Sequence, residues 1–421
     1  LPPSTPTYLM RAGDKFISTG VPKRRVAPGT WWICFLLLFA TVLNYLDRQV
    51  LSLTADKIIQ EFNLTREQFG ELLAWFRYSY AAFQIGGGWL VDRMGPRLLF
   101  PSAVGLWSAA GALTAFAGSI GTLAACRFML GVGEAFNWPC ALKTTQRLLP
   151  PEDRPLANGI FNSGTALGAL LAPVIVTLLT FAFGWRASFL LTGLLGGLWV
   201  VVWLYYTKPR TAELAGERTS IRAAPGIMLR IAMMPRFWLL AVSAVVVNGV
   251  SYFLADWIPL YLKVERGFTF AAGNFLSMLV YAGLDAGNIA SGLLVRRMAK
   301  RGVSVARARK YALFISCVCM SCALAAGTAS NIVTLAAIVI TAIGVAGFLV
   351  IYLTLVQELA PAHVGVSAGM LGGLGNLAYG LIAPSIGRFS DMQQTTTTFL
   401  LIATLPWLAF ACLAAGRWDN K

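Results

Sequence analysis

The sequence is dominated by apolar runs of about 20 residues, each bounded by charged residues, Pro or Gly. As an α-helix, a run of that length crosses the hydrocarbon core of a bilayer, which is about 30 Å thick. Twelve such runs predict twelve transmembrane spans, which we number in chain order. Their approximate bounds are 31–53, 68–91, 98–117, 121–142, 156–181, 186–206, 234–262, 270–296, 309–328, 331–357, 365–388 and 396–416. The pattern therefore predicts an all-α integral membrane protein.

The longest polar interruption separates six spans from six. The predicted organisation is a disordered cytoplasmic tail (1–30), an N-terminal six-helix bundle (31–206), a cytoplasmic inter-bundle loop (207–233), a C-terminal six-helix bundle (234–416) and a short cytoplasmic tail (417–421). Two matches support an internal repeat: GTALGALLAP in span 5 with GNLAYGLIAP in span 11, and GWLVDR at the end of span 2 with GLLVRR at the end of span 8. Repeated halves are typical of transporters. The sequence thus predicts two pseudo-symmetric bundles.

Composition and charge support the membrane assignment. Of the 421 residues, 57% are hydrophobic and only 12% charged, against roughly 25% charged residues in soluble domains. The net charge of +16 would suggest a nucleic-acid partner in a soluble protein. However, 25 of the 34 Lys and Arg residues lie in alternate connections on one side of the spans, 6 on the other side and 3 within spans. Basic residues stay on the cytoplasmic side, so we expect both termini inside, contacts with membrane lipids and no nucleic acid.

The sequence lacks the motifs of bond-making chemistry. Its seven Cys residues lie in or beside apolar runs, and Cys319 and Cys322 have no polar frame that would suggest a redox or metal site. No phosphate-binding loop, metal cluster or nucleophile with a base is evident. We therefore predict a protein that is not an enzyme and has no cofactor or metal. We also expect it to be a monomer.

The segment GWLVDRMGPR, at 88–97, lies at the inner end of span 2. It resembles the signature G-x-L-x-D-R-x-G-x-[RK] of the major facilitator superfamily. In that family the motif holds the two halves together in the outward-facing state. The resemblance therefore implies gating roles for Asp92, Arg93 and Arg97. The alternative is an ordinary basic cytoplasmic loop.

Six ionisable residues fall inside the predicted spans: Asp47, Arg48, Arg77, Arg127, Glu134 and Asp285. At ~2.5–3.5 kcal/mol each near a helix centre, six unpaired groups would cost about 15–20 kcal/mol. They must therefore pair with one another or line a water-filled cavity. A purely structural set of ion pairs is the alternative interpretation.

Spacing and depth suggest how these groups are arranged. Arg127 and Glu134 are seven residues apart on span 4, so they face one side about 10 Å apart. Asp47 and Arg127 each lie about six residues from the outer end of their spans, at similar depth. We predict an Asp47–Arg127 ion pair, with Arg48 free for an anion. Because desolvation favours the neutral form of a carboxyl group, Glu134 is a predicted proton carrier.

The three arginines predict a positive pocket, and Arg binds carboxylates through two parallel hydrogen bonds. The predicted substrate is therefore an organic anion. Uncharged polar residues on three other spans suit hydroxyl groups, which favours a sugar acid. They are Tyr281 and Asn288 flanking Asp285 in a stripe on span 8, Asn162, Ser163 and Thr165 on span 5, and Asn376 on span 11. Hydrogen bonding between helices is the alternative role for these residues.

Three segments carry a closer resemblance: LNYLDRQVLS at 43–52, RFMLGVGEAFNWP at 127–139 and NGIFNSGTALGALLAP at 158–173. They resemble the anion:cation symporters of the major facilitator superfamily, most of all bacterial hexuronate and aldonate transporters, which implies a bacterial inner-membrane protein. The roles implied are protonation of Asp47 and Glu134, substrate carboxylate binding by Arg48, pairing of Arg127 with the span 1 acid, and sugar contacts by Tyr80, Thr165 and Asn376.

Two departures from the aldonate pattern bear on the substrate. Thr165 stands where aldonate carriers tend to have Gln, and Arg77 and Asp285 lie outside the pattern. We therefore predict a proton-coupled symporter that imports a hexuronate, galacturonate or glucuronate, by alternating access. Arg77 with Trp75 and Trp138 leaves open an aromatic or dicarboxylic acid. A drug or cation exporter of the same fold would need an acidic cavity, which the arginines disfavour, and a sensor would need a signalling domain.

Overall fold

The computed structural model describes residues 29–149, 154–216, 224–327, 330–360 and 364–416. The predicted tails at 1–30 and 417–421 fall outside these ranges apart from their innermost residues, 29 and 30. The regular structure of the described residues is helical. The α-helices are α1 (Thr30–Leu53), α2 (Ala55–Phe62), α3 (Arg66–Met94), α4 (Pro96–Thr114), α5 (Ile120–Glu134), α6 (Asn137–Leu148), α7 (Arg154–Phe183), α8 (Trp185–Thr207), α9 (Ala224–Ala232), α10 (Pro235–Asp256), α11 (Ile258–Val264), α12 (Phe270–Lys300), α13 (Val305–Ser321), α14 (Asn331–Leu359), α15 (Val364–Asp391) and α16 (Thr395–Ala415).

These helices correspond to the twelve predicted spans, with differences. Nine helices among the described residues are individually long and apolar enough to cross a membrane. Span 4 is divided at Ala135–Phe136 into α5 and α6, and span 7 is divided at Trp257 into α10 and α11. Pro259 near the start of α11 cannot continue the hydrogen-bond ladder of α10, which explains the second break. The short helices α2 and α9 were not predicted.

The two halves repeat one packing scheme. In the N-terminal half α1 packs on α7, α4 on α8, and α3 on α5; in the C-terminal half α10 packs on α15, α13 on α16, and α12 on α14. These are equivalent pairs when the chain is divided between spans 6 and 7. The shared scheme agrees with the internal sequence matches.

Close packing within a half depends on small residues. On α7, a Cβ at Gly164 or Gly168 would lie 2.7 Å from backbone carbonyl oxygens of α1, at Leu38 and Val42. Only glycine allows the backbones of α1 and α7 to approach this closely.

The halves meet along two equivalent helix pairs, α3 with α15 and α7 with α12. A polar network joins the end that carries Arg66 and Lys263, which is the predicted outer end. Lys263 Nζ lies 2.7 Å from Asp56 Oδ1, and the Asp391 carboxylate accepts from the backbone N–H groups of Arg66 and Glu67 over 3.1 and 3.0 Å. We call these contacts the outer-end network. They hold the two halves together at that end.

Candidate substrate and proton site between the two halves

Three arginines from three helices surround one aromatic ring. The guanidinium carbons of Arg48, Arg77 and Arg127 lie 5.4, 5.3 and 5.0 Å from the centroid of the Phe76 ring. Phe76 is only 2% exposed and belongs to α3. The electron-rich face of an aromatic ring attracts cations. The structure therefore brings together the three arginines that the sequence places inside spans, and we call them the arginine cluster.

Arg48 forms an ion pair with Glu134. Arg48 Nε donates to Glu134 Oε2 over 2.6 Å, and the Glu134 side chain is fully buried while 17% of the Arg48 side chain is exposed. The guanidinium also lies 4.8 Å from the centroid of the Tyr80 ring. Within the described part of the chain, Glu134 Oε1 and Arg48 Nη2 are buried without a hydrogen-bond partner. The pair therefore retains hydrogen-bonding capacity for a third group.

The predicted Asp47–Arg127 ion pair is wrong. Asp47 is 2% exposed, and among the described residues neither of its carboxylate oxygens has a hydrogen-bond partner. Its Oδ1 lies 3.5 Å from the position that a Cβ would take at Gly111 of α4. Successive helical residues point about 100° apart, so Asp47 faces the interior of its half while Arg48 faces α5. Equal depth along two helices does not make their side chains face each other.

Arg127 is left with an incomplete set of partners. It is 3% exposed, and its Nε is buried without an acceptor in the described part of the chain. A buried guanidinium strongly favours an anionic partner. Arg127 is therefore a second cationic group, besides Arg48, that could receive an anion.

Arg77 links the two halves. Its Nη2 donates to Asp256 Oδ2 over 3.0 Å, its Nη1 donates to Asn376 Oδ1 over 3.2 Å, and its guanidinium carbon lies 3.8 Å from the centroid of the Tyr252 ring. Asp256 is 5% exposed. Sequence reasoning missed Asp256 as a buried partner, because a carboxylate near the end of a span normally meets water. The sequence signal that could have indicated this burial is Pro259. It ends α10 at Asp256, inside an apolar run and not at the end of one.

The buried charges of this region balance. The arginine cluster supplies three positive charges, and the buried carboxyl groups of Asp47, Glu134 and Asp256 supply three negative charges when ionised. An anion that entered the region would therefore bring an uncompensated negative charge. In a low-dielectric interior such a charge is costly.

The predicted hydroxyl-binding residues take different environments. Tyr281 on α12 has a buried hydroxyl that has no hydrogen-bond partner among the residues that the structure describes, whereas Asp285 and Asn288 further along the same helix are exposed. On α7, Asn162 is exposed and Thr165 Oγ1 donates to the Asn162 carbonyl oxygen over 2.9 Å. Of this predicted set, Asn376 is the member that directly contacts the arginine cluster.

The predicted gating residues lie at the inner end of α3 and the start of α4. The Asp92 side chain lies outside the described residues. Arg93 is exposed, and the Arg97 backbone N–H donates to the Leu214 carbonyl oxygen over 3.4 Å. Gly95, with a φ of 76°, packs so closely on the 214–216 segment that a Cβ would lie 2.4 Å from its backbone. This loop is thus held against the segment at 214–216, which follows α8 at the start of the inter-bundle loop.

The fold and this site describe a membrane transporter made of two repeated helical bundles with a charged centre. The chain belongs to the major facilitator superfamily, whose family model matches residues 37–384. The predicted fold of twelve transmembrane helices in two bundles is confirmed, and the protein is a transporter and not an enzyme.

Comparison with known proteins gives relatives along nearly the whole chain. A hexuronate transporter of Bacillus subtilis (strain 168) is 31% identical over 400 residues, which cover 92% of this chain and 94% of that protein. A probable sulfoacetate transporter of Cupriavidus necator is 30% identical over 361 residues, which cover 80% and 81%. The resemblance to sugar-acid transporters of the superfamily is therefore confirmed.

Solved structures support the fold alone. A bacterial homologue of the human lysosomal transporter Spinster, in an inward-facing and unoccupied conformation, has a TM-score of 0.71 at 20% identity. The match covers 94% of this chain and 99% of that one.

Proposed function

We propose that this protein is a proton-coupled symporter that imports a hexuronate across a bacterial inner membrane, with both termini in the cytoplasm. The observation that carries the proposal is the Arg48–Glu134 ion pair in the arginine cluster. The relationship to a hexuronate transporter supports an organic anion as the substrate. The excess of basic residues on one side of the spans supports the orientation.

The ion pair provides a physical reason for coupling. While Glu134 is ionised it engages Arg48, so a substrate carboxylate would have to displace a buried carboxylate. Protonation of Glu134 removes the charge that holds Arg48 Nε. Arg48 then offers its Nε and Nη2 groups to the substrate carboxylate in a forked geometry. Proton and anion therefore bind most favourably together.

Asp47 is the second proposed proton site. Its carboxylate oxygens have no hydrogen-bond donor among the described residues, so the ionised form is poorly stabilised where it lies. When Asp47, Glu134 and Asp256 are all ionised the buried charges balance, so from that state one proton per anion keeps the region neutral. A neutral loaded carrier can change conformation without moving net charge through the membrane core.

Substrate recognition beyond the carboxylate is assigned to groups around the cluster. We assign sugar contacts to Tyr80, Thr165 and Asn376, and further polar contacts to Asn162, Tyr281, Asp285 and Asn288, with Arg77 and Arg127 supplying positive charge. The outer-end network closes the outer side, which supports access to the cluster from the inner side in this conformation. The loop with Asp92, Arg93 and Arg97 is the proposed inner gate.

A second candidate substrate is a small dianion. Arg127 has a buried Nε without an acceptor in the described ranges, and one relative at 30% identity is a probable sulfoacetate transporter. Arg48 and Arg127 together could hold two anionic groups of one molecule. This alternative keeps the transport mechanism and changes the ligand.

The test is uptake into liposomes that contain the purified protein, with an alkaline lumen and radiolabelled glucuronate, galacturonate or sulfoacetate. We expect accumulation of a hexuronate above its equilibrium level. Glu134→Gln should abolish this accumulation and retain counterflow exchange, since Arg48 remains available. Glu213→Gln, which removes an exposed carboxylate of a surface pair, serves as the control. Unchanged accumulation by Glu134→Gln would refute the coupling, and uptake of sulfoacetate alone would select the dianion.

A further inference from the structure

A second site lies far from the arginine cluster, at the predicted inner end of the C-terminal half. A cavity of about 330 Å³ is bordered by the first turns of α13, the last turn of α16 and the inner part of α14. Its lining includes three basic residues, Arg307, Arg309 and Lys310, and three leucines, Leu313, Leu355 and Leu413. The cavity is therefore basic on one side and apolar on the other.

The basic side carries uncompensated charge. Arg309 is engaged by Glu358 through two hydrogen bonds of 2.9 and 2.7 Å, so its charge is neutralised locally. Arg307 and Lys310 have exposed side chains, and neither forms an ion pair with a carboxylate of the described residues. Both stand in the first two turns of α13, whose N-terminal end carries partial positive charge. Two full charges and a helix terminus thus converge on one cavity.

The apolar side of the cavity is closed. Leu313, Leu355 and Leu413 are each 1–2% exposed, so they form a closed hydrophobic floor beneath the basic residues. The accessible part of the cavity therefore suits an anionic group, held by the exposed basic residues. In a membrane protein, a basic pocket between helix ends at the inner surface lies at the depth of lipid headgroups.

We propose that this cavity binds the headgroup of an anionic phospholipid of the inner leaflet. Arg307 and Lys310 contact the phosphate, and the acyl chains lie in the surrounding bilayer. The proposal rests on the membrane location and on the predicted orientation of the protein, and it does not depend on which anion is transported or on proton coupling.

The test measures lipid binding directly, by native mass spectrometry and thermal unfolding of the purified full-length protein in a mild detergent. The probes are a short-chain phosphatidylglycerol, the matching phosphatidylcholine and inorganic phosphate. Wild type should retain phosphatidylglycerol and gain thermal stability from it. The double variant Arg307→Gln/Lys310→Gln should bind phosphatidylglycerol about thirtyfold more weakly, since each basic residue near a membrane surface contributes ~1 kcal/mol and tenfold corresponds to ~1.4 kcal/mol.

The control variant is Lys208→Gln/Arg230→Gln, which removes two exposed charges from elsewhere on the predicted inner side. It should bind phosphatidylglycerol as wild type does. Equal binding by the double variant and wild type would overturn the site. Equal stabilisation by phosphatidylcholine, or displacement of the lipid by inorganic phosphate, would overturn the assignment to an anionic lipid. Because the readout is binding, it is independent of failure of the transport test.

Discussion

Asp256→Ala should shift the protein toward conformations that are open at the outer end. The carboxylate pairs with Arg77 across the two halves, and the two side chains are only 8% and 6% exposed. Removing one partner of a buried ion pair costs about 3–5 kcal/mol, because the remaining charge is buried without compensation. Opening the outer end hydrates Arg77 and relieves this cost, so the penalty falls mainly on the closed state.

The expected population change is large. A penalty of ~3 kcal/mol changes the ratio of open to closed molecules by more than a hundredfold, at ~1.4 kcal/mol per factor of ten. If ~1% of wild-type molecules are open at the outer end, the open state becomes the majority in the variant. The double variant Arg77→Gln/Asp256→Asn removes both charges and should return most of the population to the closed state.

The assay is a spin-label distance measurement across the outer end. Labels at Gln60→Cys and Gln394→Cys, both exposed and in opposite halves, report the separation once the partly exposed native cysteines are replaced by Ser. Asp256→Ala should add a longer distance to the distribution. Glu71→Ala, which removes an exposed carboxylate from the helix of Arg77, should leave it unchanged. An unchanged distribution for Asp256→Ala would refute the idea that this pair stabilises closure.

Three further predictions concern single contacts. Arg48→Lys keeps the charge and loses the forked geometry, so KM for the anion should rise by more than ~tenfold in initial-rate uptake. Gly70→Ala would place a Cβ 2.5 Å from the Ala383 carbonyl oxygen, and this overpacking, about 1–3 kcal/mol, should favour the outer-open state in the spin-label assay. The Trp185 indole N–H, which donates to Glu61, holds the pKa of that carboxyl below its usual 4.5. Thermal stability gained from this bond should be complete above pH ~5 and lost as the pH falls through the lowered pKa, and Trp185→Phe should flatten that acid-side loss.

Each of these has a matched control. Arg388→Lys exchanges an exposed arginine at the outer end and should leave KM unchanged. Gly86→Ala adds a Cβ on the same helix where no atom lies within 4 Å, and Trp32→Phe alters an indole that is 64% exposed. A wild-type KM for Arg48→Lys, equal effects of the two glycine variants, or an unaltered pH profile for Trp185→Phe would each contradict the corresponding prediction.

The sequence predicts the fold well because a bilayer imposes a length and a polarity on every span. The α1, α8 and α16 bounds differ from the predicted spans by one residue. The breaks after Glu134 and at Trp257 were not predicted, since a run of apolar residues has the same composition whether one helix or two cross the membrane. The sequence pattern does not predict the amphipathic helix α2, because its 8 residues are too few to show a clear helical period of hydrophobic positions.

The sequence predicts which charged residues form the site, but it does not predict which of them pair with one another. Hydropathy identifies charged residues inside spans, which selects Arg48, Arg127 and Glu134. Which charges meet depends on the rotation of each helix about its axis, and that rotation is decided by packing against neighbouring helices. The rotation of α1 turns Arg48 to Glu134 and leaves Asp47 beside α4. Depth alone carries no information on rotation.

The central claim is that proton and anion cross together because Glu134 controls Arg48. It is tested most directly by measuring the pH of a weakly buffered liposome lumen, without an imposed gradient, when glucuronate or galacturonate is added outside. We predict that the lumen acidifies in step with substrate uptake for wild type, and that Glu134→Gln takes up substrate to equilibrium without acidification. Uptake by wild type with no change in lumen pH would contradict the account.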